Sequence, residues 1–256
     1  MSMSEITVPT GETASVTYWS NHLVDGGYPV MLCGLAGTGK TQIINGLLRD
    51  LDAASYLHQV INMNFYTSGT ALQAILETAL QKQTATRFGP PPGTKMVYFI
   101  DDLNLPLVDP YNTQSAISLM RQHCDYEHWY DMTKLTLKDI CNCQYVSCMN
   151  PTAGSFLIDP RLQRWFTTFA VAMPNEASLT TIYQTYLEGH LKNGGFSDAI
   201  LETIPHMING TLAVHQHVSE SFRKTAANFH YEFNIRHMAG VFQGLLMATS
   251  GKFTTP

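Results

Sequence analysis

The chain has 256 residues, with 15 Lys and Arg against 20 Asp and Glu, a formal net charge of -5 and 45% apolar residues. That length holds one large α/β domain, or a large and a small one, with ample core. No overall basic footprint points to nucleic acid, and the longest apolar runs fall well short of the ~20 residues that span a bilayer, so neither nucleic acid nor membrane is an expected partner.

The start Met-Ser-Met-Ser-Glu lacks a signal-peptide pattern, which predicts a soluble intracellular protein. Cys33, Cys124, Cys141, Cys143 and Cys148 are irregularly spaced, so free thiols are expected. The spacings of Cys141, Cys143 and Cys148, and of His123, Cys124 and His128, miss the patterns of structural zinc sites.

Residues 1 to about 27 are mixed, with an extended-looking segment Ile6–Thr10. It is either a tail or a strip, including Val8 and Pro9, that folds over the base of a nucleotide, because an adenine pocket needs apolar walls. Tyr28–Cys33 is a short apolar run suited to a buried parallel strand. It enters Gly34-Leu35-Ala36-Gly37-Thr38-Gly39-Lys40-Thr41, which fits G-x-x-x-x-G-K-[ST]. Glycines let such a backbone curl until successive N–H groups converge on an anion, and the following helix adds its positive end. Gly37, Thr38 and Gly39 would cradle phosphate, Lys40 would reach the β- and γ-phosphates, and the Thr41 hydroxyl would be a ligand of Mg²⁺. Gln42–Leu48 has the apolar spacing of the helix the motif requires.

Ser55–Asn62 predicts a second strand. Thr67 or Ser68 would cap a helix with Ala71, Leu72, Ile75, Leu76, Ala79 and Leu80 on one face, before the break at Gly89–Gly93. Lys95-Met96-Val97-Tyr98-Phe99-Ile100-Asp101-Asp102 is an apolar strand ending in two acids. The pair is either a solvated turn or, given the phosphate loop upstream, a site in which Asp101 holds Mg²⁺ and Asp102 orients or deprotonates the attacking water. A helix is expected around Gln114–Gln122, then a hairpin from His128–Asp131 and Lys134–Asp139, then a strand Gln144–Asn150. Asn150, before Pro151, is either a turn former or a hydrogen-bond partner of the γ-phosphate or water. Asp159 and Pro160 would start a short helix carrying Arg161 and Arg164, which are either surface ion-pair partners or, in an oligomeric ATPase, a source of charge for a neighbour's site. Thr167–Pro174 predicts the last strand.

Beyond Pro174 the pattern turns helical, over Ser178–Leu191, Ile200–Phe222 and Ile235–Ala248. His206, His215, His217 and His237 fit helix surface or core better than ligation. Arg236, opening the last helix, is either a surface charge or a residue of the nucleotide site.

In this order GLAGTGKT, MVYFIDDLNLP, RQHCDYEHWYD, KLTLKDI, CQYVSCMNPTAGSF, DPRLQRWF and EFNIRHMAGVFQGLL closely resemble the third AAA+ module of the motor ring of an axonemal dynein heavy chain. The likeness runs from Ile6 onward. It implies a P-loop α/β core with a parallel sheet flanked by helices at residues 1–174 and a small helical lid at 175–256. It also implies ATP or ADP with Mg²⁺ as ligands. Family roles fall on Lys40 and Thr41 in the phosphate loop, Asp101 on the metal, and Asp102 and Asn150 on the attacking water and γ-phosphate. Arg161 would act in trans on a neighbouring site and Arg236 in cis from the lid.

The family carries six such modules in one much longer chain, so this sequence is expected to be one module of it, working with neighbouring modules. Dynein intermediate and light chains and microtubules would be met through other regions. The resemblance places the protein in the cytoplasm, on the cytoskeleton of the ciliary or flagellar axoneme. In the family the third module is a secondary, regulatory nucleotide site. Many AAA+ proteins have glutamate where Asp102 stands, and a carboxylate withdrawn by ~1 Å can cost on the order of 10²-fold in rate, so slow hydrolysis is expected. The alternatives are a non-catalytic module braced by nucleotide, or a protein-remodelling AAA+ ATPase, for which no clear aromatic pore motif stands out.

Overall fold

The computed structural model describes residues 7–152 and 158–253. Ile6 and the stretch 153–156 of the CQYVSCMNPTAGSF motif lie outside them. In chain order the elements are α1 (Gly11–Asp25), β1 (Val30–Cys33), α2 (Lys40–Asp50), β2 (Tyr56–Asn62), α3 (Gly69–Glu77), β3 (Gln81–Lys82), β4 (Arg87–Gly89), β5 (Lys95–Asp101) and α4 (Ser115–Tyr126). There follow β6 (His128–Tyr130), β7 (Leu137–Ile140), β8 (Cys143–Met149), α5 (Pro160–Gln163), β9 (Thr167–Ala170), α6 (Glu176–Asn193), α7 (Asp198–Leu201), α8 (Ile204–Ser221) and α9 (Ile235–Leu245).

Five strands form a parallel sheet in the order β2-β5-β8-β1-β9. The near-continuous apolar runs explain this, because parallel strands are covered on both faces. Along β5, Met96, Tyr98 and Ile100 enter one core with residues of α3 and α4, while Val97 and Phe99 enter the other with α2 and Val24 of α1. The period of two thus sorts one strand between two helical layers. β1 lies between β8 and β9, so the carboxyl ends of β1, β8 and β5 stand side by side at one edge of the sheet. That edge is where open α/β sheets take ligands.

Some element ends shift, as where β9 stops at Ala170 and not Pro174 and α3 at Glu77, before Ala79 and Leu80, and three differences are larger. Residues 11–25, expected as part of a mixed segment, are the helix α1, with only Ser20 and Val24 buried. The hairpin β6–β7 forms as expected, but β3 and β4 join it in a second sheet of order β3-β4-β7-β6 that the sequence did not suggest. The predicted helix over 200–222 is broken into α7 and α8, where the Thr203 hydroxyl donates to Ile200 O at 2.6 Å and Pro205 sits in the first turn of α8.

The chain divides into two compact units, one of residues 15–35 and 39–172, the other of 1–14, 36–38 and 173–256. The second has its own core, in which Tyr183 of α6 stacks on Phe242 of α9 with ring centroids 3.8 Å apart. Among the described residues no helix is long and apolar enough to cross a membrane. All five cysteines are free.

Candidate nucleotide-binding site

β1 delivers the phosphate loop and α2 carries it away, beginning at Lys40. Gly37 and Gly39 have φ of 85° and 86°, in the left-handed region where a Cβ is costly, so these two glycines permit the curl of the loop. Gly34 N–H donates to Met149 O at 3.1 Å, which pins the loop's first residue to the end of β8. Thr38 is buried. Gly37 belongs to the same compact unit as α9, and a Cβ on it would stand 3.6 Å from the Ile235 backbone nitrogen.

Lys40 is buried, and its Nζ donates to Gly34 O at 2.9 Å and Leu35 O at 2.7 Å. Burial lowers its pKa, while the nearby Cys148, Asp101 and Asp102 act in the opposite direction. A desolvated ammonium beside a curled backbone is the point charge that a polyphosphate site uses.

The Thr41 hydroxyl donates to Asp101 Oδ2 at 3.0 Å, across sixty residues of sequence. A hydroxyl and a carboxylate at hydrogen-bond distance match the hard oxygen donors of a Mg²⁺ site that keeps water and phosphate as its remaining ligands. The donor set therefore fits the metal that the phosphate loop implies. Asp101 Oδ1 also accepts from Asp102 N–H at 3.1 Å. Asp102 itself is exposed and has φ 55°, a conformation that aspartate tolerates better than most residues, so the second acid leaves the alternation of the strand.

Asn150 follows β8. Its Oδ1 accepts from Thr152 N–H at 3.1 Å and from the Thr152 hydroxyl at 2.8 Å, the turn-forming arrangement considered for an asparagine before proline. Its carbonyl accepts from Asn104 Nδ2 at 2.9 Å, and Asn104 is buried. Asn104 ties the loop after β5 to the end of β8. Its signal in the sequence is faint, a polar residue between Leu103 and Leu105.

Arg161 lies on α5, exposed, and its guanidinium makes no ion pair among the described residues. Arg164 does pair, with Asp125 at 2.6 Å. Arg236 is the second residue of α9 and exposed, and its backbone N–H donates to the capping Asn234 at 3.0 Å. Val8 and Pro9 precede α1, whose start is capped by reciprocal bonds between Thr10 and Thr13. The structure thus brings Lys40, Thr41, Asp101 and the Asn150 turn to one sheet edge, with Asn104 as their tie. Among the described residues no cluster of three or more His, Cys, Asp or Glu forms a separate metal site.

A family described as "P-loop containing dynein motor region" matches residues 1–174, and an "AAA+ lid domain" matches 207–256. The chain belongs to the dynein motor family. It is 49% identical over 255 residues to the flagellar outer arm dynein alpha chain of Chlamydomonas reinhardtii, covering 99% of this chain and 6% of that one. It is 48% identical over 249 residues to dynein axonemal heavy chain 17 of Homo sapiens, covering 97% and 6%. The ciliary dynein beta chain of Heliocidaris crassispina is 46% identical over 254 residues, 99% of this chain and 6% of its own. This dynein AAA region therefore spans about 6% of the length of these axonemal relatives. At the level of the dynein family, the loop and its helix are those of an AAA+ ATPase fold that binds nucleotide.

Proposed function

We propose that this chain is the third AAA+ module of an axonemal dynein motor ring and that it is a secondary, regulatory nucleotide site with slow Mg²⁺-dependent ATP hydrolysis. The module assignment rests on the resemblance of the IDDLN, CMNPTAGSF and FNIRH segments. The site reading rests on the joined set Lys40, Thr41 and Asp101, and above all on the 3.0 Å bond between the Thr41 hydroxyl and Asp101.

In this reading the backbone at Gly37, Thr38 and Gly39 receives the phosphates and Lys40 neutralises their outer charge. Thr41 and Asp101 would hold Mg²⁺, which supplies charge neutralisation at the phosphates. Asp102 orients the attacking water and takes its proton, from a carboxylate one methylene shorter than the common glutamate. Asn150 fixes the water from the other side. Val8 and Pro9 wall the base, and Arg236 responds to the γ-phosphate in cis, roles carried by the resemblance. Arg161 serves the preceding module in trans, so the arginine completing this site comes from the following one. The large subdomain is residues 1–174 and the lid 175–256. The protein acts in the cytoplasm at the axoneme, with adjoining modules as immediate partners and with intermediate chains, light chains and microtubules reached through other parts of the heavy chain.

Steady-state turnover of Asp102→Glu against wild type in the motor tests this. Slow wild-type turnover that glutamate raises is expected, and fast wild-type turnover that glutamate does not raise would overturn it. Among rival readings, an exposed edge-to-face pair, Phe65 and Tyr66 in the loop after β2, favours a remodelling ATPase with an aromatic loop. ATP-driven self-assembly of the chain into closed rings would be its mark.

A further inference from the structure

The carbonyls at the end of β8 are held by two different loops. Cys148 O accepts from Leu103 N–H at 3.0 Å, Met149 O from Gly34 N–H at 3.1 Å and Asn150 O from Asn104 Nδ2 at 2.9 Å. Successive carbonyls of an extended chain point to opposite sides, so residues 148 and 150 are tied to the segment after β5 and residue 149 to the start of the phosphate loop. The backbone that carries Asn150 is thus fixed against the phosphate loop and the segment following Asp101 and Asp102 at once.

What the Asn150 side chain does there is decided by the next two residues. Pro151 has no N–H, so the next backbone donor within reach of the Asn150 amide is that of Thr152. That N–H donates to Asn150 Oδ1 at 3.1 Å, and the Thr152 hydroxyl donates to the same oxygen at 2.8 Å. A backbone N–H can only donate, so the atom it meets is the amide oxygen and the NH₂ is the other end. Two donors fill both lone pairs of Oδ1. Asn150 is left with two N–H donors to offer and no acceptor.

The turn does not itself need an amide. Aspartate makes the same turn, but its second oxygen would bring a negative charge to an edge built for phosphate. Asparagine keeps the turn and puts a donor in that oxygen's place.

We infer that Thr152 is the positioning residue that makes Asn150 a γ-phosphate donor: by holding the amide oxygen it sets the NH₂ as the end offered to a third phosphate, and through that contact the site tells ATP from ADP. This rests on the reading of the edge as a nucleotide site, and it names the phosphate that Asn150 meets and the atom that meets it. The second N–H remains for a lone pair of the water, whose proton goes to Asp102 because the held amide has no acceptor for it.

The test is calorimetric titration of the 256-residue protein with Mg-ADP and with the slowly hydrolysed Mg-AMP-PNP, read as the ratio of the two affinities. Asn150→Ala should weaken Mg-AMP-PNP by roughly 10- to 100-fold, as for a hydrogen bond to a charged group, and leave Mg-ADP within about 2-fold. Asn150→Asp, which keeps the turn but sets a carboxylate against the γ-phosphate, should lose no less than Asn150→Ala. Thr152→Val removes one of the two donors on Oδ1 and should weaken Mg-AMP-PNP alone by roughly 3- to 10-fold, which Thr152→Ser should restore. Added to Asn150→Ala, Thr152→Val should cost nothing further, since both act on one contact.

A turn with only a structural role predicts otherwise. Asn150→Asp would then bind Mg-AMP-PNP like wild type, or Thr152→Val would weaken both nucleotides alike, and either result overturns the inference. So does an Asn150→Ala protein with unchanged preference, or a Thr152→Val protein with wild-type preference beside an Asn150→Ala protein that has lost it. Binding of neither nucleotide by the wild type is a different failure, that of the nucleotide site itself, and the inference falls with it.

Discussion

The sheet edge and the α5 segment carry the charged groups of this protein in opposite ways. At the edge, Lys40 bonds to its own loop, Thr41 to Asp101, and Asn150 to Thr152 and Asn104, so each group is held by neighbours within the chain. On α5 the frame is tied down while Arg161 is left without an ion pair among the described residues. On the proposed reading, the groups that grip nucleotide are held by neighbours within this chain, whereas Arg161 is the group it offers to others. Binding should therefore be intrinsic, and fast hydrolysis should depend on neighbours.

The largest expected effect concerns what joins the two regions. His123 of α4 is buried, and its Nδ1 lies 2.8 Å from the Tyr145 hydroxyl of β8, linking the helix that holds α5 to the strand that leads into Asn150. Burial lowers its pKa from 6.5 to about 4. The folded-state value is depressed, so this contribution to stability is full above pH 6.5 and is lost as pH falls from there toward 4, by roughly 3 kcal/mol in all. Urea midpoints measured across that range should show the loss, and His123→Gln should remove that part of the slope. An unchanged slope would mean that the link is not what acid breaks.

At the edge, Lys40→Ala should weaken Mg-ATP binding about 100-fold, from the loss of charge-assisted contacts. Thr41→Ala should weaken it about 10-fold, and only when Mg²⁺ is present, as one metal ligand among several is removed. Calorimetric titration with and without Mg²⁺ separates the two. Arg161→Ala marks the other side of the contrast, with own-site affinity expected within about 2-fold of wild type, since an exposed charge away from the ligand contributes little. A large loss there would erase the distinction between what is used and what is presented.

Much of the edge was legible in the sequence, because its residues sit in local patterns: a glycine-rich loop between an apolar run and a helix, and acids closing a β-branched and aromatic strand. The parallel sheet followed from those runs. α1 was not legible, since a helix that buries only Ser20 and Val24 leaves no apolar stripe to read. β3 and β4 were hidden for a related reason. Strands of two and three residues such as Gln81–Lys82 have no alternation; β3 is held by pairing with β4, and β4 by pairing with distant β7. Asn104 and Asp125 escaped because their meaning lies in partners 46, 39 and 40 residues away, which spacing along the chain does not report.

The central claim is that this chain grips nucleotide by itself and hydrolyses it poorly without a neighbour's arginine. It is met most directly by titrating Mg-ATP into the 256-residue protein in a calorimeter while phosphate release is followed on the same sample. The account predicts saturable one-site binding with turnover at least about 10³-fold below that of an AAA+ site completed by its arginine. Failure of the wild-type protein to bind Mg-ATP, or rapid phosphate release from it alone, would contradict the account.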